Sequence, residues 1–183
     1  MAYVSSLFLQ TALGRTPSQA AIALSPLMIG MIAASVVFRP LIERLGRRFV
    51  VIGLSVALAG AVVLWETVRT HGIPVSLWAM APALFILGVG TGASFSSIYD
   101  VALGNIAPSE AGSASGSLSA VQQLATAIGS AVVTTVYFAQ RADHGARHAM
   151  TVSIEVVGGI AALCLGLAWL LPNMAAPQEL PGE

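Results

Sequence analysis

The sequence predicts an all-α fold, a polytopic membrane helical bundle, and three observations carry that reading. Charged residues make up 9% of the 183-residue chain and hydrophobic ones 56%, where soluble domains carry about 25% charge. The mean hydropathy is +0.84. The apolar residues fall in runs long enough to cross a bilayer, which takes about 20 residues at 1.5 Å of rise each. Hydrophobicity inside the runs is continuous rather than alternating, and a backbone in hydrocarbon must satisfy its own hydrogen bonds. The runs are therefore helices and not barrel strands.

The elements follow in order. "MAYVSSLFLQTALG" has an apolar stretch too short to span and lacks the positive flank and cleavage site of a secretory signal; it reads as the end of a helix that begins further upstream. Thr16, Pro17 and Gln19 fit N-cap, N1 and N3 of a capping box, which starts the first full run, roughly Ser18 to Phe38. Further runs extend from Phe49 to Val68, Val75 to Leu103, Gly112 to Ala139 and Met150 to Leu171. "THGIP", "GNIAPSEAG" and "AQRADHGARH" (Ala139 to His148) separate the later runs. Pro26 and Pro82 lie well inside helices and mark kinks, because neighbouring groups can re-satisfy the carbonyls that proline frees. Residues 1–172 form the bundle, and the Pro-rich, polar residues 173–183 read as a disordered cytoplasmic tail.

Charge and aromatics set the boundaries. Trp65, Trp78 and Trp169 sit near helix ends, as an interfacial belt requires. With alternating helices, Arg39, Arg44, Arg47 and Arg48 lie on one side and Arg15, Arg69, Arg141 and Arg147 on the other. The tally is even, so only the density of the first group places it, and with it the C-terminus, in the cytoplasm. Zero net charge argues against nucleic acid as a partner. The single cysteine, Cys164, can form no internal disulfide. No His/Cys/acid cluster has ligand spacing and no Ser/His/Asp arrangement can be placed, so neither a metal nor an enzyme activity is expected.

"RPLIERLGRR", Arg39 to Arg48, holds five of the chain's sixteen charged side chains. Chemistry alone reads it as a positive-inside anchor in which Pro40 and Gly46 turn the chain. "ERLGRR" also resembles the acidic-Arg-x-Gly-Arg-Arg signature that joins paired helices in the major facilitator superfamily of secondary transporters. Arg39 stands where that signature usually opens with Gly, and Glu43 replaces the more usual Asp. "SLFLQTALGRTPSQAAIALSPLMIGM" and "APSEAGSASGSLSAVQQLATAIGSAV" are similar to segments of the fourteen-helix drug:proton antiporter branch. The likeness covers nearly all of residues 5–171, in order. It implies a partial C-terminal half, five full helices plus the end of a sixth, from a multidrug exporter of the bacterial inner membrane that works by alternating access.

The resemblance further implies a cytoplasmic latch formed by Glu43, Arg44, Gly46, Arg47 and Arg48, with Asp100 as a possible partner. The expected partners are the lipid bilayer, the N-terminal half of the transporter and a small cationic or amphipathic substrate. No cofactor is implied, since a proton gradient would drive transport. The runner-up is a small stand-alone helical membrane protein acting as a structural or regulatory subunit.

Within the runs, Gly112, Gly116, Ser119, Gln123, Thr126, Ser130 and Thr134 recur at steps of three and four and share one helical face. Such a face lets another helix approach, or lines a cavity. Gly112 and Gly116 suit packing, while Gln123 and Thr126 are candidate substrate contacts. "LGVGTGAS" lies inside an apolar run and lacks the strand and spacing of a dinucleotide loop; Gly88, Gly90 and Gly92 read as close-packing positions. Glu155 is the acid clearly within a membrane run. It is a candidate cavity residue, because burying a carboxylate there is expensive, or else a shallow residue reached by water.

Overall fold

The computed structural model describes residues 2–11, 13, 14, 16–38, 47–71, 76–103, 106, 107 and 109–168. All regular structure among the described residues is helical: α1 (Ala2–Thr11), α2 (Pro17–Val37), α3 (Arg47–His71), α4 (Leu77–Leu103) and α5 (Ala111–Ala168). The last four of these are long and apolar enough to cross a membrane.

Local chemistry explains the boundaries. The Gln19 backbone N–H donates to Thr16 Oγ1 and the Thr16 N–H to Gln19 Oε1, both at 3.3 Å, completing the capping box that opens α2. Helix α2 then runs through Pro26. Proline cannot bond the carbonyl of Ile22 four residues back, and the Ser25 hydroxyl donates to that carbonyl instead, at 2.7 Å. Before α5, backbone bonds from Ile106 to Leu103 and from Glu110 to Ala107 tighten the turn.

One boundary differs from expectation. The polar stretch Ala139 to His148 is not a loop: α5 stays helical through it and breaks only at Gly145, with φ 82° and ψ 169°. Unbroken, its 58 residues would measure about 87 Å at 1.5 Å each, almost three times a hydrocarbon core of roughly 30 Å. Its two limbs are separate spans. Alanine, glutamine and arginine are good helix formers, so polarity here marks the water boundary without ending the helix. The break needs a residue that tolerates positive φ, and Gly145 supplies it.

Helix α4 is the hub, packed most extensively against α3 and α2. Its glycines set the distances. A Cβ at Gly92 would stand 2.6 Å from the carbonyl oxygen of Met31 on α2, and one at Gly88 would run into the Leu27 backbone. Gly90, turned the other way, would put a Cβ 2.6 Å from Ala57 Cα on α3. The larger core cluster joins Phe8 and Leu9 of α1, Leu27 of α2, Leu64 and Val68 of α3, Met80 and Leu84 of α4, and Tyr137, Met150 and Ile154 from both limbs of α5. A smaller cluster of Ala34, Phe49 and Ala93 lies toward the other end of α3.

Candidate functional site

The first limb of α5 has two unlike faces. Val121, Leu124, Ile128 and Val132 are exposed large hydrophobics at steps of three and four. At 100° per residue, Ser119, Gln123, Thr126, Ser130 and Thr134 lie on the opposite side. The polar face borders an open groove of about 950 Å³ lined by Thr126, Ser130, Ala131, Thr134, Thr135 and Phe138, with Ala139 at its end. Pockets for drug-sized ligands occupy about 300–1,000 Å³. The hydroxyls are tethered to their own helix: Thr126 donates to the Gln122 carbonyl at 2.8 Å and Ser130 to the Ala127 carbonyl at 3.0 Å. Each keeps lone pairs for a further donor.

Gln123 is exposed one turn before Thr126. Its neighbour Gln122 makes the interhelical contact, with the Tyr99 hydroxyl of α4 donating to Gln122 Oε1 at 2.7 Å. Phe95 stacks on Tyr99 with ring centroids 5.2 Å apart, holding the phenol in place. Sequence reasoning missed this pair, since the step pattern selects Gln123 and nothing in it phases the limb against α4. Gly112 and Gly116 begin the same limb, and a Cβ at either would meet nothing within 4 Å among the described residues.

Glu155 sits apart from this groove. Trp65 Nε1–H of α3 donates to Glu155 Oε1 at 2.9 Å, and the two border a second, apolar pocket of about 170 Å³. The Arg69 guanidinium lies 5.0 Å from the centre of the Trp65 ring and 4.0 Å from Glu66. Trp65 is six residues before the end of α3, about 9 Å of rise. A charge near a helix end costs less than the roughly 2.5–3.5 kcal/mol of one at mid-membrane. The structure thus brings Thr126, Ser130 and Thr134 together and places Glu155 with Trp65.

Comparison with known proteins decides the class. The sequence model of the Major Facilitator Superfamily matches residues 1–183. The chain belongs to that superfamily. Curated relatives include the "Probable actinorhodin transporter" of Streptomyces coelicolor, 30% identical over 139 residues, or 75% of this chain and 24% of that protein. A "Puromycin resistance protein" of Streptomyces alboniger is 29% identical over 178 residues, 90% of this chain and 35% of its own length. A "Tetracycline resistance determinant" of Streptomyces rimosus is 34% identical over 135 residues, 73% and 38%. The chain therefore spans 24% to 38% of the length of these relatives.

As a member of the Major Facilitator Superfamily the chain is a multi-pass membrane protein of a transport family. Of the residues expected to form a latch, Glu43, Arg44 and Gly46 lie outside the described residues, Arg47 opens α3, and the Arg48 side chain is exposed. Asp100 is on α4, three residues before its end; its side chain lies outside what is described. Residues 173–183 are outside the described residues as well.

Proposed function

We propose that the chain is part of the C-terminal bundle of a proton-coupled exporter of small antimicrobial molecules, and that the hydroxyl face of α5 lines its substrate path. The observation that carries this reading is the division of the first limb of α5 into an apolar stripe and an opposed polar stripe. A membrane helix needs polar groups on one side only if that side meets another helix or water. The face at Thr126, Ser130 and Thr134 borders an open groove whose lining residues all lie on α5, so a second wall would have to come from another part of the transporter. The superfamily match and relatives named for antibiotic transport or resistance support the export of drug-like cargo. The same match favours a transporter over a stand-alone structural subunit.

In the proposed cycle, cargo binds near the midplane between two pseudo-symmetric bundles and access alternates as they rock. Gln123, Thr126, Ser130 and Thr134 supply uncharged donors and acceptors, which suits neutral polar groups on the cargo. The latch of Glu43, Arg44, Gly46, Arg47 and Arg48, with Asp100 as its partner, holds one access state. The N-terminal bundle supplies the rest of the path.

The test is drug efflux in a sensitive bacterial host expressing the complete coding region that contains this chain. Ser130→Phe fills the groove and should abolish export at unchanged membrane level. Val121→Phe, directly across the helix from Ser130, should retain it. Equal loss or equal retention by both variants removes this face from the substrate path.

A further inference from the structure

We propose that the pocket between α3 and the second limb of α5 is a site for an aminophospholipid, with Glu155 accepting the primary ammonium of the headgroup and Arg69 facing its phosphate. The pocket is walled by Leu58, Ala61, Val62 and Ile154, with Trp65 and Glu155 among the residues lining it. Its volume, about 170 Å³, is below the roughly 300 Å³ at which drug-sized ligands fit. It admits a stretch of acyl chain and excludes a bulky cargo. Val62 is exposed on this surface, which leaves the pocket a side from which an acyl chain would enter.

Charge complementarity selects the headgroup. Among the described residues Glu155 accepts one hydrogen bond, from Trp65, and a carboxylate has about four acceptor sites, which leaves room for an N–H donor. Arg69 stands one turn beyond Trp65 on α3, and its side chain is 61% exposed. Its pairing with Glu66 is a solvent-exposed i,i+3 contact at 4.0 Å, weak enough for a phosphate to compete. One negative and one positive group, flanking a single indole at interface depth, match a zwitterion whose ammonium and phosphate are joined by two carbons.

The alternatives fit less well. A choline headgroup has no N–H for Glu155 and seeks an aromatic face, but Arg69 already lies 5.0 Å from the centre of the Trp65 ring. An anionic glycerol headgroup brings no cation to the carboxylate. The site is independent of what the transporter carries.

Native mass spectrometry of the chain released from detergent, with phosphatidylethanolamine and phosphatidylcholine of equal acyl chains in competition, tests this directly. The expected result is retention of the ethanolamine lipid over the choline lipid by on the order of tenfold, the effect of one charge-assisted hydrogen bond. The mono- and dimethylated lipids should fall between them. Soluble phosphoethanolamine, which has no chain for the pocket, should not compete. Glu155→Gln should abolish the preference and Arg69→Gln should weaken both lipids alike. Equal retention of the four lipids by the unaltered chain overturns the proposal even if neither variant folds, and so does a preference that survives Glu155→Gln.

Discussion

Two adjacent glutamines on α5 show what one residue of phase decides. Gln122 and Gln123 are 100° apart on the helix; Gln122 accepts from the Tyr99 hydroxyl at 2.7 Å, while Gln123 is exposed. Gln122→Ala should strand a partly buried phenol and lower stability by about 1–3 kcal/mol, whereas Gln123→Ala should stay within about 0.5 kcal/mol. Thermal unfolding of the chain in detergent distinguishes them, and identical midpoints would contradict the contact. Gly90 calls for a sharper effect. A Cβ there would lie 2.6 Å from backbone, the Ala57 Cα, and not from the end of a flexible side chain. Gly90→Val should therefore force α3 and α4 apart, at about 1–3 kcal/mol or more, and reduce folded yield. Candidate site residues were legible in sequence only as a class. The hydroxyls of the stripe stand out in an apolar run, but the pairing of Glu155 with Trp65, 90 residues apart, depends on how α5 meets α3, which no local pattern encodes.

At the scale of elements, what the sequence makes legible is what local chemistry specifies. Helix α2 begins where Thr16, Pro17 and Gln19 place it, because a capping box is complete within four residues. The long spans follow from hydropathy alone. The break in α5 did not follow, because a polar stretch and a helix end are different things: Ala139 to His148 is polar, yet only Gly145 takes a positive φ. Partners beyond this chain are the other limit. Gly112 and Gly116 have open space around them among the described residues, so Gly116→Leu should leave the melting temperature of the chain alone unchanged. In the complete transporter the same change should lower folded yield if the Gly112 and Gly116 end of the stripe packs against the other bundle. Tolerance in both settings would leave the small-residue face without a packing role.

Among the described residues of the whole molecule, the largest buried side chains are unevenly spread along the helices. The largest fully buried side chains include Tyr137, Phe8, Leu9, Leu64, Met80, Leu84 and Met150. They gather toward the end of α3, the start of α4 and the reversal at Gly145, while the opposite end holds the small cluster around Phe49. The end that holds the smaller cluster is also where Arg47 and Arg48 open α3. The even arginine tally makes orientation a separate question, and the orientation expected from charge density, with the Arg39 to Arg48 segment in the cytoplasm, is a prediction to be tested. A cysteine introduced as Leu45→Cys in a Cys164→Ser background should then resist a membrane-impermeant thiol reagent added to intact cells and react once the cells are opened. The Cys164→Ser change is needed because Cys164 is exposed on the second limb of α5. Ready labelling of intact cells would invert the bundle, and it would move the Gly145 reversal, Trp65 and the Glu155 pocket from the outer leaflet to the inner one.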